Sequence, residues 1–290
     1  MINNQLKRLI LFIIILTFLS GCAKPDRSGI ENLDTPKEPE HSVNRIAHPC
    51  ENIFYPLIHE NQWVYQLDYE DQSLTDSPTE LALTVSEVYQ SSAVLAALDY
   101  DTGVVTQSTV DCNDGAIVNF PITELNMVLG DVSGALEFEY VSGTFMPSEK
   151  EFADSGWQMK WKTEYKATGE MNASYDGENL SIKLSSSPIN MEWETVSTGG
   201  SLQVPAGNFD EVVQIKRRMK IDVDSLEAVI EGQQINLSTT LTLDTSHFYA
   251  PRTGLLKQEF ESASIKIFGI NTPTETWVKL ELKSYQLNDY

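Results

Sequence analysis

Residues 236–243 read Asn-Leu-Ser-Thr-Thr-Leu-Thr-Leu. Leu237, Thr239, Leu241 and Leu243 alternate with Asn236, Ser238, Thr240 and Thr242. Side chains at i and i+2 share one face of an extended strand, so this stretch has one greasy face and one wet face. A helix, at about 3.6 residues per turn, would scatter the same leucines around its axis. The alternation recurs on both sides of this segment. Leu136, Phe138 and Tyr140 alternate with Glu137 and Glu139, and Trp157, Met159 and Trp161 with Gln158, Lys160 and Lys162. Met191 and Trp193 alternate with Glu192 and Glu194, and Val278, Leu280 and Leu282 with Lys279, Glu281 and Lys283.

Turn signals fall between these runs: Asp101-Thr102-Gly103, Asn113-Asp114-Gly115, Asp176-Gly177, Gly199-Gly200, Glu231-Gly232 and Arg252-Thr253-Gly254. Small polar residues and glycine tolerate the positive φ of tight turns, and Asp176-Gly177 has the form of a hairpin loop. Roughly ten or more strands joined by short turns predict an all-β fold. A sheet of that size must curl to bury its greasy side. The expected architecture is a large curved antiparallel sheet, a partial barrel or a two-layer β structure. Helical periodicity is scarce after residue 50. Two segments are read as helical exceptions, Ile122–Leu129 and Ser225–Ile230, either of which would serve as a lid or an edge cover.

The N-terminus has a different character. Residues 1–22 read MINNQLKRLILFIIILTFLSGC. Lys7 and Arg8 precede an apolar run from Leu9 to Leu19, far short of the roughly 20 residues a spanning helix needs. This is the pattern of a signal peptide. Its end, Leu19-Ser20-Gly21-Cys22, resembles the lipobox of bacterial lipoproteins. That resemblance implies cleavage after residue 21, diacylglycerol on the Cys22 sulfur and N-acylation, which together make a stable anchor. It places the protein at the cell membrane or outer membrane, facing the periplasm or the exterior. Ala23 after the cysteine resembles an outer-membrane sorting signal of bacteria with two membranes. Residues 23–48 carry three prolines and no aromatic side chain, so residues 22–48 read as a lipidated start and a flexible tether. Residues 49–290 then form one β-rich extracytoplasmic domain.

Of the three cysteines, Cys22 is committed to lipid. Cys50 and Cys112 remain, and in an oxidising compartment two spare cysteines usually pair. A Cys50–Cys112 bridge would pin the chain where the tether ends.

Three local sequences carry more than propensity. Phe54-Tyr55-Pro56-Leu57 is followed by Asn61-Gln62-Trp63-Val64-Tyr65, which puts Trp63 and Tyr65 on one face as anchors. Leu202-Gln203-Val204-Pro205-Ala206-Gly207-Asn208-Phe209-Asp210 reads as strand, turn and strand, with Phe209 plugging the sheet. Phe248-Tyr249-Ala250-Pro251-Arg252-Thr253-Gly254-Leu255-Leu256-Lys257 repeats that form. Together they resemble a poorly characterised family of exported bacterial lipoproteins and β-rich domains. Its members carry Tyr/Phe-Pro-Leu with Gly-x-x-Trp-x-Tyr, Val-Pro-Ala-Gly-x-Phe, and Trp-Tyr-Ala-Pro-Gly-Val-Gly-Leu-Val-Lys. The resemblance spans residues 50–285 on three short patches. His59-Glu60-Asn61 departs from the glycine turn, Phe248 from the first aromatic, and Arg252-Thr253 from Gly-Val. It implies kinship with curved-sheet carriers of lipids and lipoproteins, and no catalytic group.

The whole chain has 20 Lys+Arg and 42 Asp+Glu, a formal charge of −22. Without Lys7 and Arg8 the mature balance is 18 − 42 = −24. Such a surface repels phosphates and anionic headgroups, which argues against nucleic-acid binding and against a basic membrane-binding patch. The four histidines, at 41, 48, 59 and 247, show no metal-ligand spacing, and His247 reads as a strand-end side chain. There is no Gly-x-Ser-x-Gly elbow and no Ser-x-x-Lys. Asp99-Tyr100-Asp101, Asp111–Asp114 and Asp222-Val223-Asp224 offer oxygen ligands, but none has the EF-hand pattern, and they read as turn caps. No catalytic, cofactor or metal residue is assigned, and a monomer is expected. Three functions compete. The leading one is a non-enzymatic domain that binds or scaffolds an envelope protein or other partner. The second is a carrier with a lipid-sized cavity under the sheet, lined by residues such as Trp157, Met159 and Trp161. The third is a hydrolase built on an unrecognised carboxylate pair.

Overall fold

The computed structural model describes residues 48–69, 80–121, 132–175, 178–230, 233–267, 270–274 and 278–288. Cys22, the tether before His48, Ile122–Leu129 and the Asp176-Gly177 turn lie outside these residues. Two short strands come first, β1 (Glu51–Asn52) and β2 (Tyr55–Pro56), paired with each other. One half of the main sheet follows: β3 (Gln62–Tyr69), β4 (Glu80–Val88), β5 (Ser92–Asp99), β6 (Val105–Asn113) and β7 (Ala116–Asn119). The other half begins with β8 (Val132–Gly143) and a one-turn-and-a-half helix, α1 (Glu149–Asp154). Its remaining strands are β9 (Lys160–Tyr175), β10 (Glu178–Val204), β11 (Gly207–Ile230), β12 (Gln233–Ala250), β13 (Gly254–Ile267), β14 (Ile270–Thr274) and β15 (Val278–Gln286).

The main sheet is antiparallel throughout, in the order β7-β6-β5-β4-β3-β15-β13-β12-β11-β10-β9-β8, with β14 on β13. It curls until its ends meet. Ile117 of β7 bridges Met146, just beyond β8, through Ile117 N–H to Met146 O (2.8 Å) and Met146 N–H to Ile117 O (3.0 Å). The result is a nearly closed barrel, within the range the alternation predicts. Near the junction Gly143 has φ +95°, and a Cβ there would lie 2.2 Å from the Lys162 carbonyl oxygen, so only glycine fits.

The helix expected over Ser225–Ile230 is instead strand. The ladder of β11 on β12 runs on through Leu226↔Leu237, Ala228↔Ile235 and Ile230↔Gln233 after a register shift between Val223 and Leu226. Continuous cross-strand pairing, with β-branched Val229 and Ile230 at the end, outweighs the helix propensity of Leu226, Glu227 and Ala228. The stripe Trp157, Met159, Trp161 is also revised. Only Trp161 lies within a strand, because β9 starts at Lys160, and Trp157 sits in the turn after α1 with φ +62°.

One end of the barrel is plugged. Phe54, fully buried, meets Phe152 and Tyr249 with ring centroids 5.3 Å away in each case. Phe152 comes from α1, whose start is fixed by a capping box: Glu151 N–H donates to Ser148 Oγ, and Ser148 N–H to Glu151. Trp157 stacks on Phe152 at 5.5 Å. The N-terminal segment is tied down by Asn52, whose Nδ2 donates to the Gly115 and Pro147 carbonyls at 2.8 Å each. A disulfide joins Cys50 to Cys112, both buried, across 62 positions of sequence. Trp63 Nε1 donates to Thr253 O at 2.6 Å, locking β3 to the turn before β13.

Burial falls off toward the opposite, hairpin end. Along the inner face of β12, Tyr249, His247, Thr245 and Leu243 are buried, whereas Leu241 and Thr239 are half-buried. On β9, Tyr165 and Ala167 are buried and Gly169 half-buried; on β5, Ala93 and Leu95 give way to half-buried Ala97. The N-terminal segment seals one end, while toward the hairpin end burial decreases on β12, β9 and β5 but persists on β10 and β11, where Leu184, Ile221 and Val223 are buried.

Candidate functional site

Two cross-strand rows on the inner wall hold the most unusual chemistry. In the first, Trp161, Trp193, Arg217 and Thr245 are register partners on β9, β10, β11 and β12. In the second, Thr195, Ile215, His247 and Gln258 are partners on β10 to β13. Arg217 is 1 % exposed, although it stands between Lys216 and Arg218 in sequence. Strand parity explains this: Ile215, Arg217 and Met219 face inward while Lys216, Arg218 and Lys220 face water. Its guanidinium lies 5.3 Å from the Trp193 ring centroid, a cation–π contact in a low-dielectric setting. Trp193 is itself stacked on Trp161 at 5.9 Å and donates from Nε1 to Thr163 Oγ1 at 3.2 Å.

His247 is buried beside this cation, 5.5 Å from Trp193 and stacked 6.1 Å from Tyr249. It is therefore an interior side chain and not a strand-end one. Thr245 Oγ1 and His247 Nε2 share a hydrogen bond of 2.9 Å. His247 Nδ1 and Gln258 Nε2 have no hydrogen-bond partner among the described residues. Burial drives the imidazole well below its usual pKa, and the Arg217 charge pushes in the same direction. A folded-state pKa below the unfolded one gives stability that is complete above about pH 6.5 and is lost as the pH falls toward the folded value. Relative to His247→Gln, the native protein should lose about 1.4 kcal/mol of unfolding free energy per pH unit below that point. Paired urea titrations from pH 7.5 to 5 measure the difference, and parallel curves would contradict it. Carboxylate titration is common to both proteins and cancels.

The outer face of the same strands carries a charge ladder. Lys162, Glu192, Arg218 and Asp244 are register partners across β9 to β12. Lys162 Nζ reaches Glu192 at 2.9 Å, raising the amine's pKa and lowering the acid's. Arg218 holds Asp244 with two bonds, 2.7 and 3.2 Å. Lys160–Glu194 (2.8 Å) and Lys216–Glu261 (2.9 Å) flank them, over a shallow depression of about 440 Å³. Exposed pairs of this kind contribute little stability, roughly 0–1 kcal/mol each. All of these charged groups are satisfied by one another.

Of the acidic triplets only Asp99 is seen to cap a turn, whereas Asp111 and Asp222 lie within β6 and β11 and bond their cross-strand partners. Asp99 Oδ1 accepts from the Asp101 and Thr102 amides at 2.9 and 3.1 Å, Asp111 accepts from Asn119 Nδ2 at 3.0 Å, and Asp222 from Thr240 Oγ1 at 3.0 Å. Among the described residues no group of three or more His, Cys, Asp or Glu is placed to hold a metal. None of the buried polar residues described is an Asp or Glu. Phe209 does not plug the sheet; it is half-buried and meets Tyr285 at 6.0 Å. Parity with Ile215, Met219 and Tyr249 carries the signal that Arg217 and His247 lie on the inner face.

No family model matches the chain, and no curated protein matches it. Two solved structures are similar in outline. A protein described as exported, with a YmcC-like fold, from Bacteroides fragilis NCTC 9343 is 15 % identical, with a TM-score of 0.45 over 81 % of this chain and 100 % of its own. A protein described as a lipoprotein from Parabacteroides distasonis ATCC 8503 is 13 % identical, with a TM-score of 0.43 over 81 % of this chain and 99 % of its own. At these scores neither assigns the chain to a family.

Proposed function

We propose that the chain is a lipid-anchored extracytoplasmic protein, held to a membrane through Cys22, whose barrel is a non-enzymatic binding or scaffolding domain. The observation that supports this reading is the polarity of the barrel. The chain enters at the plugged end, where Gly115 N–H donates to Pro49 O at 2.9 Å beside the Cys50–Cys112 bridge. A tether attached there leaves the hairpin end free to face away from the lipid. The charge of the mature chain, −24 by the arithmetic above, favours a protein or other cationic partner over nucleic acid.

The carrier reading has one observation in its favour, the fall in burial along β12, β9 and β5 toward the hairpin end. Around Trp193 and Tyr249 the interior is filled by side chains, so a lipid would have to sit nearer that end. Native mass spectrometry of protein extracted from its own membranes tests both. A diacylglyceryl mass at Cys22 that is lost in Cys22→Ser, together with release of that variant from the membrane fraction, is the expected result. Unmodified Cys22 would overturn the anchored reading, and a co-purifying lipid beyond the anchor would favour the carrier.

A further inference from the structure

His247 stands one ring away from the plug. Its imidazole is stacked 6.1 Å from Tyr249, and Tyr249 meets both aromatic residues of the plugging segment, Phe54 at 5.3 Å and Tyr55 at 5.6 Å. The Tyr55 and Tyr249 hydroxyls share a hydrogen bond of 3.0 Å. The other groups that face His247 are Arg217 and Ile215 of β11, Trp193 of β10, Gln258 of β13 and Thr245 of its own strand. Of these only Arg217 carries a charge, and no Asp or Glu is among the described buried residues. Burial opposes an imidazolium at this place, and the Arg217 cation opposes it further.

The plug is a small unit with its own ties. β1 and β2 pair with each other as a separate two-stranded sheet. Phe54 N–H donates to Asn52 Oδ1 at 2.9 Å, and Arg252 N–H donates to Ile53 O at 2.6 Å. The Cys50–Cys112 bridge holds the start of the segment to β6 whether or not those contacts are made. The segment can therefore swing out without leaving the barrel.

We propose that this segment is an acid-released plug: protonation of His247 favours a state in which Phe54 and Tyr55 part from Tyr249 and water reaches the imidazole, while the sheet stays folded. A proton is taken up only when the ring is uncovered. Each pH unit below about 6.5 therefore favours the opening that uncovers it by a factor of about ten. Local openings cost less free energy than global unfolding, so the plug yields before the sheet does. Acid thus opens the barrel interior at the end where the tether joins. This inference concerns the barrel alone and stands whether or not Cys22 is lipidated.

The test is hydrogen–deuterium exchange of the full mature protein in neutral detergent, native and His247→Gln, at pH 7.5 and pH 5. The native-to-variant ratio of exchange rates cancels the pH dependence of exchange itself. It also cancels the groups common to both proteins, including His48, Glu51, Asp114, Glu149 and Glu151 at this end. For the Phe54 and Arg252 amides the ratio should rise about thirtyfold between pH 7.5 and pH 5. In native protein these two amides should also exchange sooner than those of Met191 and Met219, in the middle of the β10–β11 ladder, which wait for global unfolding. His247→Phe keeps a flat ring against Tyr249 and takes up no proton, so it serves the same comparison if His247→Gln does not fold. A ratio at Phe54 and Arg252 that is the same at both pH values would overturn the proposal. So would exchange of these amides no sooner than Met191 and Met219, which would show that the plug does not open by itself.

Discussion

Trp193→Ala is expected to lower the unfolding free energy by about 3–5 kcal/mol, the largest effect of any single core truncation in this protein. Trp193 is 1 % exposed and, besides its hydrogen bond to Thr163, packs against three rings and a cation. Trp161 stacks on it, Phe145 meets it edge-on at 5.1 Å, the Arg217 guanidinium lies over its face, and His247 tilts against it. Removing the indole leaves a void with a buried cation on its wall, and that cation loses its aromatic face. Both the cavity and the poorly solvated charge then cost free energy. Domains have about 5–15 kcal/mol in total, so the variant should lie near the edge of folding. Urea unfolding followed by circular dichroism measures the shift. Trp193→Phe, which keeps a ring against Trp161 and Arg217, should lose distinctly less. A midpoint unchanged in Trp193→Ala would mean that the rows around Arg217 are not integral to the core.

Replacing both Cys50 and Cys112 by alanine should cost about 4 kcal/mol on the chain-entropy estimate for a loop of this length. The loss should appear first at the plugged end. Freed from the bridge, the segment carrying Asn52 and Phe54 relies on side-chain packing and on the bonds of Asn52 to Gly115 and Pro147. Limited proteolysis of the variant should therefore begin before Gln62, in a stretch that native protein protects. A loss below about 1 kcal/mol with native-like protection would show that Phe54 and Asn52 hold the plug without the covalent link.

Much of this architecture was legible in residue order. Alternation at Met191/Trp193, Leu241/Leu243 and Leu280/Leu282 marks inner-face residues, all of which are strand and nearly all buried. The strong turn at Val204↔Gly207 follows from Pro205 and Gly207. Where reading from sequence failed, a competing force decided. Ser225–Ile230 has helix-tolerant residues, but it continues the β11–β12 ladder of the alternating residues before it, and pairing with β12 holds it extended. Trp157 fits a strand by parity, yet the capped α1 and the aromatic plug require a turn there. Arg217 reads as one of three basic residues in a row, and only the sheet's curvature, which makes its face an interior, turns it into a buried charge beside His247.

By itself the sequence determined the class of structure, the turns at Asp101-Thr102-Gly103, Asn113-Asp114-Gly115 and Arg252-Thr253-Gly254, and the cysteines available to pair, because period-two patterning and turn chemistry act over a few residues; the turn expected at Gly199-Gly200 is instead a register shift inside β10. It also contained the exclusion of every cation from residues 46–149, a fact of composition alone. The tertiary structure decided how far the sheet curls, that Ile117 meets Met146, and which end is plugged. It also decided that Arg217, His247 and Gln258 converge from three strands. Those outcomes depend on contacts between segments far apart in the chain, whose energies arise only when the sheet closes on itself.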